Sequence, residues 1–92
     1  MAFMFAHFDV GDYDSWKPNF DSDPVGRQEG GAKNHRLYRS VSEPSHVFVA
    51  VEFGSVDEAQ SFRERLLASG ALDRVTVQTE PTVVEEAEAV EY

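Results

Sequence analysis

The chain reads as two similar halves, each a strand, a helix and a strand, joined at Ser42-Glu43-Pro44-Ser45. That order closes a small antiparallel sheet with both helices on one face and leaves the other face without cover. With 92 residues and 41% hydrophobic content, the sequence supports one domain and one core. An uncovered sheet face in so small a chain implies burial shared with a second copy.

Phe3 to Val10 alternates Phe3, Phe5, His7 and Asp9 on one side with Met4, Ala6, Phe8 and Val10 on the other. A strand apolar on both sides belongs at the centre of a sheet. Asp12, Asp14 and Ser15 then offer caps ahead of Trp16 and Phe20, which share a helix face. A cap at Ser15 places Pro18 in the first turn, where its missing N–H costs nothing; a cap at Asp12 would put it in the helix interior. Asp23-Pro24 repeats the start signal and Gly30-Gly31 supplies a stop, so the first helix is expected in two pieces with the cap at Ser15.

Ala32 to Val41 and Val47 to Phe53 form a predicted hairpin around Glu43-Pro44-Ser45. Pairing Val41 with Val47 sets Arg39 against Val49, Leu37 against Val51, and Arg36 across from Glu52. Ser55-Val56-Asp57-Glu58 is a capping box, and Ala59, Phe62, Leu66 and Leu67 form the apolar stripe of the helix it opens. Gly70 is the expected stop, with Leu72 packing back. Asp73 to Val84 supplies the fourth strand, interrupted at Pro81.

The fold class is therefore α+β, a ferredoxin-like βαββαβ arrangement over residues 1–84, followed by an acidic tail at 85–92. Phe3, Phe5, Tyr38 and Phe48 fall on the open sheet face, and two copies laid sheet to sheet would close a barrel-like interior.

Composition narrows the function classes. The formal charge is −9, with no Lys/Arg stripe to displace counterions, so nucleic acid and anionic membranes are excluded as partners. Five acids among the last thirteen residues, Glu80, Glu85, Glu86, Glu88 and Glu91, carry more than half of that charge, and the tail is expected to be solvated. The acidic balance suits a high-salt cytoplasm or a GC-rich genome equally. No cysteine is present, so no disulfide, thiolate metal site or Cys nucleophile exists. The apolar start meets His7 and Asp9 too early for a secretion signal or membrane span, and the expected location is cytoplasmic. Three scattered histidines give no metal-binding spacing, Gly30-Gly31 is no phosphate loop, and no G-x-S-x-G frame occurs; neither metal nor cofactor is expected.

The run Asp12-Tyr13-Asp14-Ser15-Trp16-Lys17 after a His-bearing first strand, then Leu37-Tyr38-Arg39, Pro44, Val49-Ala50-Val51-Glu52-Phe53 and an acid-capped helix, resembles small uncharacterised members of the dimeric α/β barrel superfamily. The resemblance spans residues 3 to 84, and relatives in that superfamily include antibiotic-biosynthesis monooxygenases and polyketide-cyclase-like proteins. It implies homodimers with a cleft between sheet and helices in each subunit, hosting activities from cofactor-free oxygenation and ring closure to haem chemistry and plain binding. Trp16 sits on the first helix rather than the second, which departs from the haem-degrading branch.

The candidate catalytic residues are His7, Tyr38 and Arg39. His7 is a general acid or base that Asp9 can orient, and an arginine with a phenol can hold a carboxylate or enolate. Asp9, Trp16, Arg36, Phe48 and Glu52 are the candidates for holding a small organic ligand. His35 and His46 flank loops and read as surface residues. Two functions compete: a cofactor-free monooxygenase or cyclase acting on an aromatic or enolisable ligand, and a non-catalytic ligand-binding or stress-associated dimer. An enzyme needs a cavity of about 300 Å³ or more with convergent polar groups. A third option, an adaptor that binds a basic partner through the acidic tail, predicts loss of function on deleting residues 85–92.

Overall fold

A computed structural model describes all residues, 1–92, in the order β1 (Ala2–Asp9), α1 (Tyr13–Asp21), β2 (Ala32–Arg39), β3 (His46–Phe53), α2 (Val56–Ala68), a 3₁₀ turn (Ala71–Arg74) and β4 (Thr76–Glu85). The four strands form one antiparallel sheet in the order β2-β3-β1-β4. This is the βαββαβ arrangement expected, with β1 central. Residues 86–92 carry no helix or strand and are exposed.

Alternation decides the faces. Ala2, Met4, Ala6 and Phe8 of β1 pair with Phe53, Val51, Val49 and Val47 of β3, and all eight are buried beneath the helices with Ala59 and Phe62 of α2. The neighbouring positions in each strand point the other way. Phe5, Tyr38 and Phe48 there are 46%, 55% and 42% exposed, so the uncovered aromatic face predicted from the sequence is present.

The register of β2 against β3 differs from the expectation by two residues: Arg39 faces Val47, Leu37 faces Val49 and Arg36 faces Ala50. A two-residue shift preserves both faces, because side chains alternate with period two. The charge pair of Arg36 with Glu52 does not form; Asn34 stands opposite Glu52 and donates to it at 3.1 Å. The loop is longer than foreseen, since the strand ends at Arg39 and Val41 is fully exposed.

The first helix also departs from expectation. Asp12 is its cap, accepting from the Asp14 amide at 3.2 Å and from the Ser15 hydroxyl at 2.8 Å, and Pro18 sits inside. Two hydrogen bonds at the cap offset the one the proline removes. No second helical piece follows. Asp23 adopts φ 53°, outside the extended range a cap requires, and its carboxylate accepts from the amides of Arg27 and Gln28 at 2.7 and 3.3 Å. It staples a loop instead.

Helix α2 starts as its capping box dictates, with the Glu58 amide donating to Ser55 Oγ at 3.2 Å. The Glu58 carboxylate lies where a side chain at Gly31 would project, so this crossing needs a glycine as well as its φ of 96°. Ala59, Phe62 and Leu66 face the sheet, but Leu67 is 45% exposed rather than part of the stripe. One residue beyond Leu66 lies about 100° further round the helix. Strand β4 is an edge, and its register shifts against β1 on both sides of His7. Pro81 is buried in that irregular stretch, where an absent N–H is tolerated, and its carbonyl accepts from Arg63 Nε at 2.6 Å.

No helix is long and apolar enough to cross a membrane.

Candidate functional site

The open face of β1 and β3 brings two histidines and two carboxylates together. His7 faces Phe48 directly in the ladder and Asp9 faces His46, so His7 and His46 are diagonal neighbours on one side of the sheet. Their rings meet edge to edge: His7 Nε2 lies 2.9 Å from His46 Nδ1. One nitrogen of that contact must donate and the other accept. The His7 ring is also stacked on Phe48, with centroids 4.1 Å apart and planes inclined by 22°, which fixes its orientation. On its far side His46 Nε2 lies 3.6 Å from Asp9 Oδ2 and 3.8 Å from Glu43 Oε2.

Asp9 is well prepared to remain a carboxylate. The Gly11 amide donates to it at 3.0 Å, and this, with the Ser45 hydroxyl beside it, holds the carboxyl below the ordinary carboxylate value; the two imidazoles act in the same direction.

His7 and Phe48 line a depression of about 260 Å³ together with Phe5, Tyr38, Ala50 and Thr79. A planar ligand laid there would stack on aromatic faces and meet an imidazole edge and a phenol. Arg36 and Glu52 share this face of the sheet but lie outside the depression, Glu52 being engaged by Asn34.

The remaining expected residues are on the other side. Arg39 points toward the helices, with its guanidinium 4.7 Å over the ring of Tyr13, so the sheet separates it from His7 and Tyr38. Its neighbour along β2, Tyr38, points oppositely because strand side chains alternate. Trp16 is tilted against Phe20 at 4.9 Å and lines a mostly apolar interior cavity of about 80 Å³ between helices and sheet. The expected catalytic trio is thus divided: His7 and Tyr38 converge, and Arg39 does not join them.

His46 is not the surface side chain that its place beside a loop suggests: it is mostly buried and bonded to His7. The signal was available in the alternation. Matching Val47, Val49, Val51 and Phe53 to Phe8, Ala6, Met4 and Ala2 leaves only one register, and that register sets His46 opposite Asp9. Thr79 could not be found this way, because the shifts in β4 break its period.

Two solved structures share this architecture over nearly the whole chain. A proposed antibiotic biosynthesis monooxygenase of Deinococcus radiodurans superposes with a TM-score of 0.67 at 16% identity, covering 100% of this chain and 98% of that one. A second, from Bordetella bronchiseptica and proposed to have the same activity, gives 0.66 at 16% identity, covering 97% and 95%. The fold is ferredoxin-like. No protein-family model matches the sequence, and no curated protein matches it. At this identity the likeness shows the fold, while the chemistry rests on the residues of the open face.

Proposed function

We propose that the chain works as a homodimer packed sheet to sheet, enclosing an aromatic or enolisable small molecule from which His7 removes a proton. The observation that carries this reading is the His7 ring, stacked on Phe48, hydrogen-bonded to His46 and set beside Tyr38 in an aromatic depression. An imidazole can both accept and donate a proton and is suited to that transfer. The resulting enolate or phenolate is electron-rich. It can react with dioxygen, one oxygen atom entering the product and the other leaving as water with two hydrogens from the substrate, or it can close a ring. Both outcomes belong to a cofactor-free monooxygenase or cyclase, and the names of the two structural neighbours favour the first. Tyr38 would hold the developing oxyanion.

The test is oxygen uptake and product analysis with a panel of phenols and enolisable ketones. An accepted substrate should be turned over at least about a hundredfold more slowly by His7→Ala. Full activity in that variant would remove His7 from the mechanism.

One observation favours a second reading, a dimer that binds without catalysis. The interior cavity beneath the helices holds only about 80 Å³ and is lined mostly by hydrophobic groups, well below the roughly 300 Å³ of an ordinary small-molecule site. On that reading ligands from the panel bind, and no product forms.

A further inference from the structure

We propose that His46 and Asp9 are positioning residues that fix the protonation of His7, and that with Glu43 they carry its proton out to solvent; this rests on reading His7 as the base of a covered sheet face.

The geometry assigns the protons one by one. Two carboxylates, Asp9 at 3.6 Å and Glu43 at 3.8 Å, approach the same nitrogen, His46 Nε2. No other acidic or basic side chain except His7 comes within ion-pair or hydrogen-bonding distance of His46. Negative charge at Nε2 favours a proton there, which leaves Nδ1 of His46 with its lone pair. That lone pair faces His7 Nε2 at 2.9 Å, so His7 donates from Nε2. The His7 ring makes no other hydrogen bond, and its Nδ1 is left unprotonated. The basic atom of the site is therefore named by a carboxylate two side chains away.

The same chain runs outward. The side chains of His46, Asp9 and Glu43 are 19%, 35% and 67% exposed, so accessibility rises step by step toward the rim of the sheet. A proton taken by His7 Nδ1 makes an imidazolium. Its Nε2 proton passes to His46 Nδ1, the His46 Nε2 proton passes through one bridging water to the Glu43 carboxylate, 3.8 Å away, and Glu43 releases it to solvent. No electron changes hands; each ring is left with one proton, on Nδ1, and the starting Nε2–H tautomers return when those protons exchange with water after the product leaves. Asp9 remains ionised throughout, orienting His46. A face sealed by a second copy would need such a route, because water could no longer reach His7 directly.

The experiment is long-range proton–nitrogen correlation spectroscopy of the full chain labelled with nitrogen-15 histidine, across about pH 5 to 8. In the neutral form His7 is expected as one tautomer, with a resolved, slowly exchanging Nε2 proton and a pyridine-like Nδ1. His46→Phe should lose that proton resonance, and His46→Gln, whose amide oxygen can accept, should restore it. Asp9→Asn combined with Glu43→Gln should let His46 populate both tautomers. A His7 protonated at Nδ1, or a His7 signal unchanged in His46→Phe, would overturn the proposal. Native dispersion of the other resonances in each variant guards against misfolding. The spectra need no substrate, so an inactive or monomeric protein would defeat the catalytic reading while leaving this result to stand or fall separately.

Discussion

The Arg39 guanidinium lies 4.7 Å over the Tyr13 ring, tying the last residue of β2 to the first turn of α1 on the helix side of the sheet. A cation over an aromatic face at an exposed site contributes about 0.5–1 kcal/mol. Arg39→Ala should lower unfolding stability by that amount. A double-mutant cycle with Tyr13→Leu, followed by urea denaturation, should assign the loss to the pair. Turnover of any substrate found for the open face should be unchanged, since the sheet stands between Arg39 and His7. A large fall in turnover at constant stability would return Arg39 to the site.

Phe53 is fully buried, with its ring 5.5 Å from that of Phe62, where β3 passes beneath α2. Truncating a buried phenylalanine costs about 3–5 kcal/mol through lost transfer energy and the cavity left behind. Domains of this size hold only about 5–15 kcal/mol in total. Phe53→Ala should consume much of the stability, and urea unfolding should show a midpoint shift with little change in slope. A loss below about 1 kcal/mol would mean that α2 settles into the void.

Asp23 gives the fold a specific acid sensitivity. Burial pushes its carboxyl up, but the Arg27 and Gln28 amides and the Arg27 guanidinium outweigh that and hold it below 3.8. A carboxyl depressed in the folded state contributes stability in full above its unfolded value, and that contribution is lost as pH falls through the folded one. Asp23→Asn keeps a side chain that tolerates positive φ while removing the charge. It should lose about 1 kcal/mol near neutral pH. It should also flatten the decline in stability below about pH 4, measured by urea unfolding at a series of pH values. An unchanged acid slope would show that the staple does not depend on ionisation.

The faces of the sheet were legible in the sequence because each central strand alternates without interruption. The capping box of α2 was legible because Ser55 and Glu58 satisfy each other locally. What was illegible depended on competition between neighbours. Asp12 outcompeted Ser15 as the cap because it recruits both the Asp14 amide and the Ser15 hydroxyl, which no count of cap residues reveals. The hairpin register followed from loop length rather than from the attraction of Arg36 to Glu52, and Asn34 took that place. In the candidate site, the shared face of His7, Tyr38 and Phe48 follows from strand parity, whereas joining Arg39 to the phenol of Tyr38 overlooks it. Adjacent residues on a strand point to opposite faces. His46 was hidden because its role comes from β1, far away in sequence.

The open face makes the sharpest demand on the molecule in solution. Phe5, Tyr38 and Phe48 are each about half exposed there, in a patch that includes His7 and Ala50. Fully burying an aromatic side chain contributes about 1.5–3 kcal/mol, so covering the remaining half of each is worth roughly 1 kcal/mol. A two-fold axis counts every residue twice, and three half-exposed rings on each copy supply about 6 kcal/mol toward association before the rest of the interface is considered. About 8 kcal/mol is needed for a micromolar dissociation constant, and with the rest of the interface supplying the difference, sedimentation at micromolar concentration should find a dimer. Phe5→Glu should raise the dissociation constant at least about tenfold, since each 1.4 kcal/mol is one decade and the change enters twice. Combined with Phe48→Glu it should yield monomers that keep the circular dichroism of the parent, because neither ring contributes to the core beneath the helices. Well-behaved monomers of the unmodified chain at that concentration would refute sheet-to-sheet pairing, and with it the enclosure on which the proposed chemistry depends.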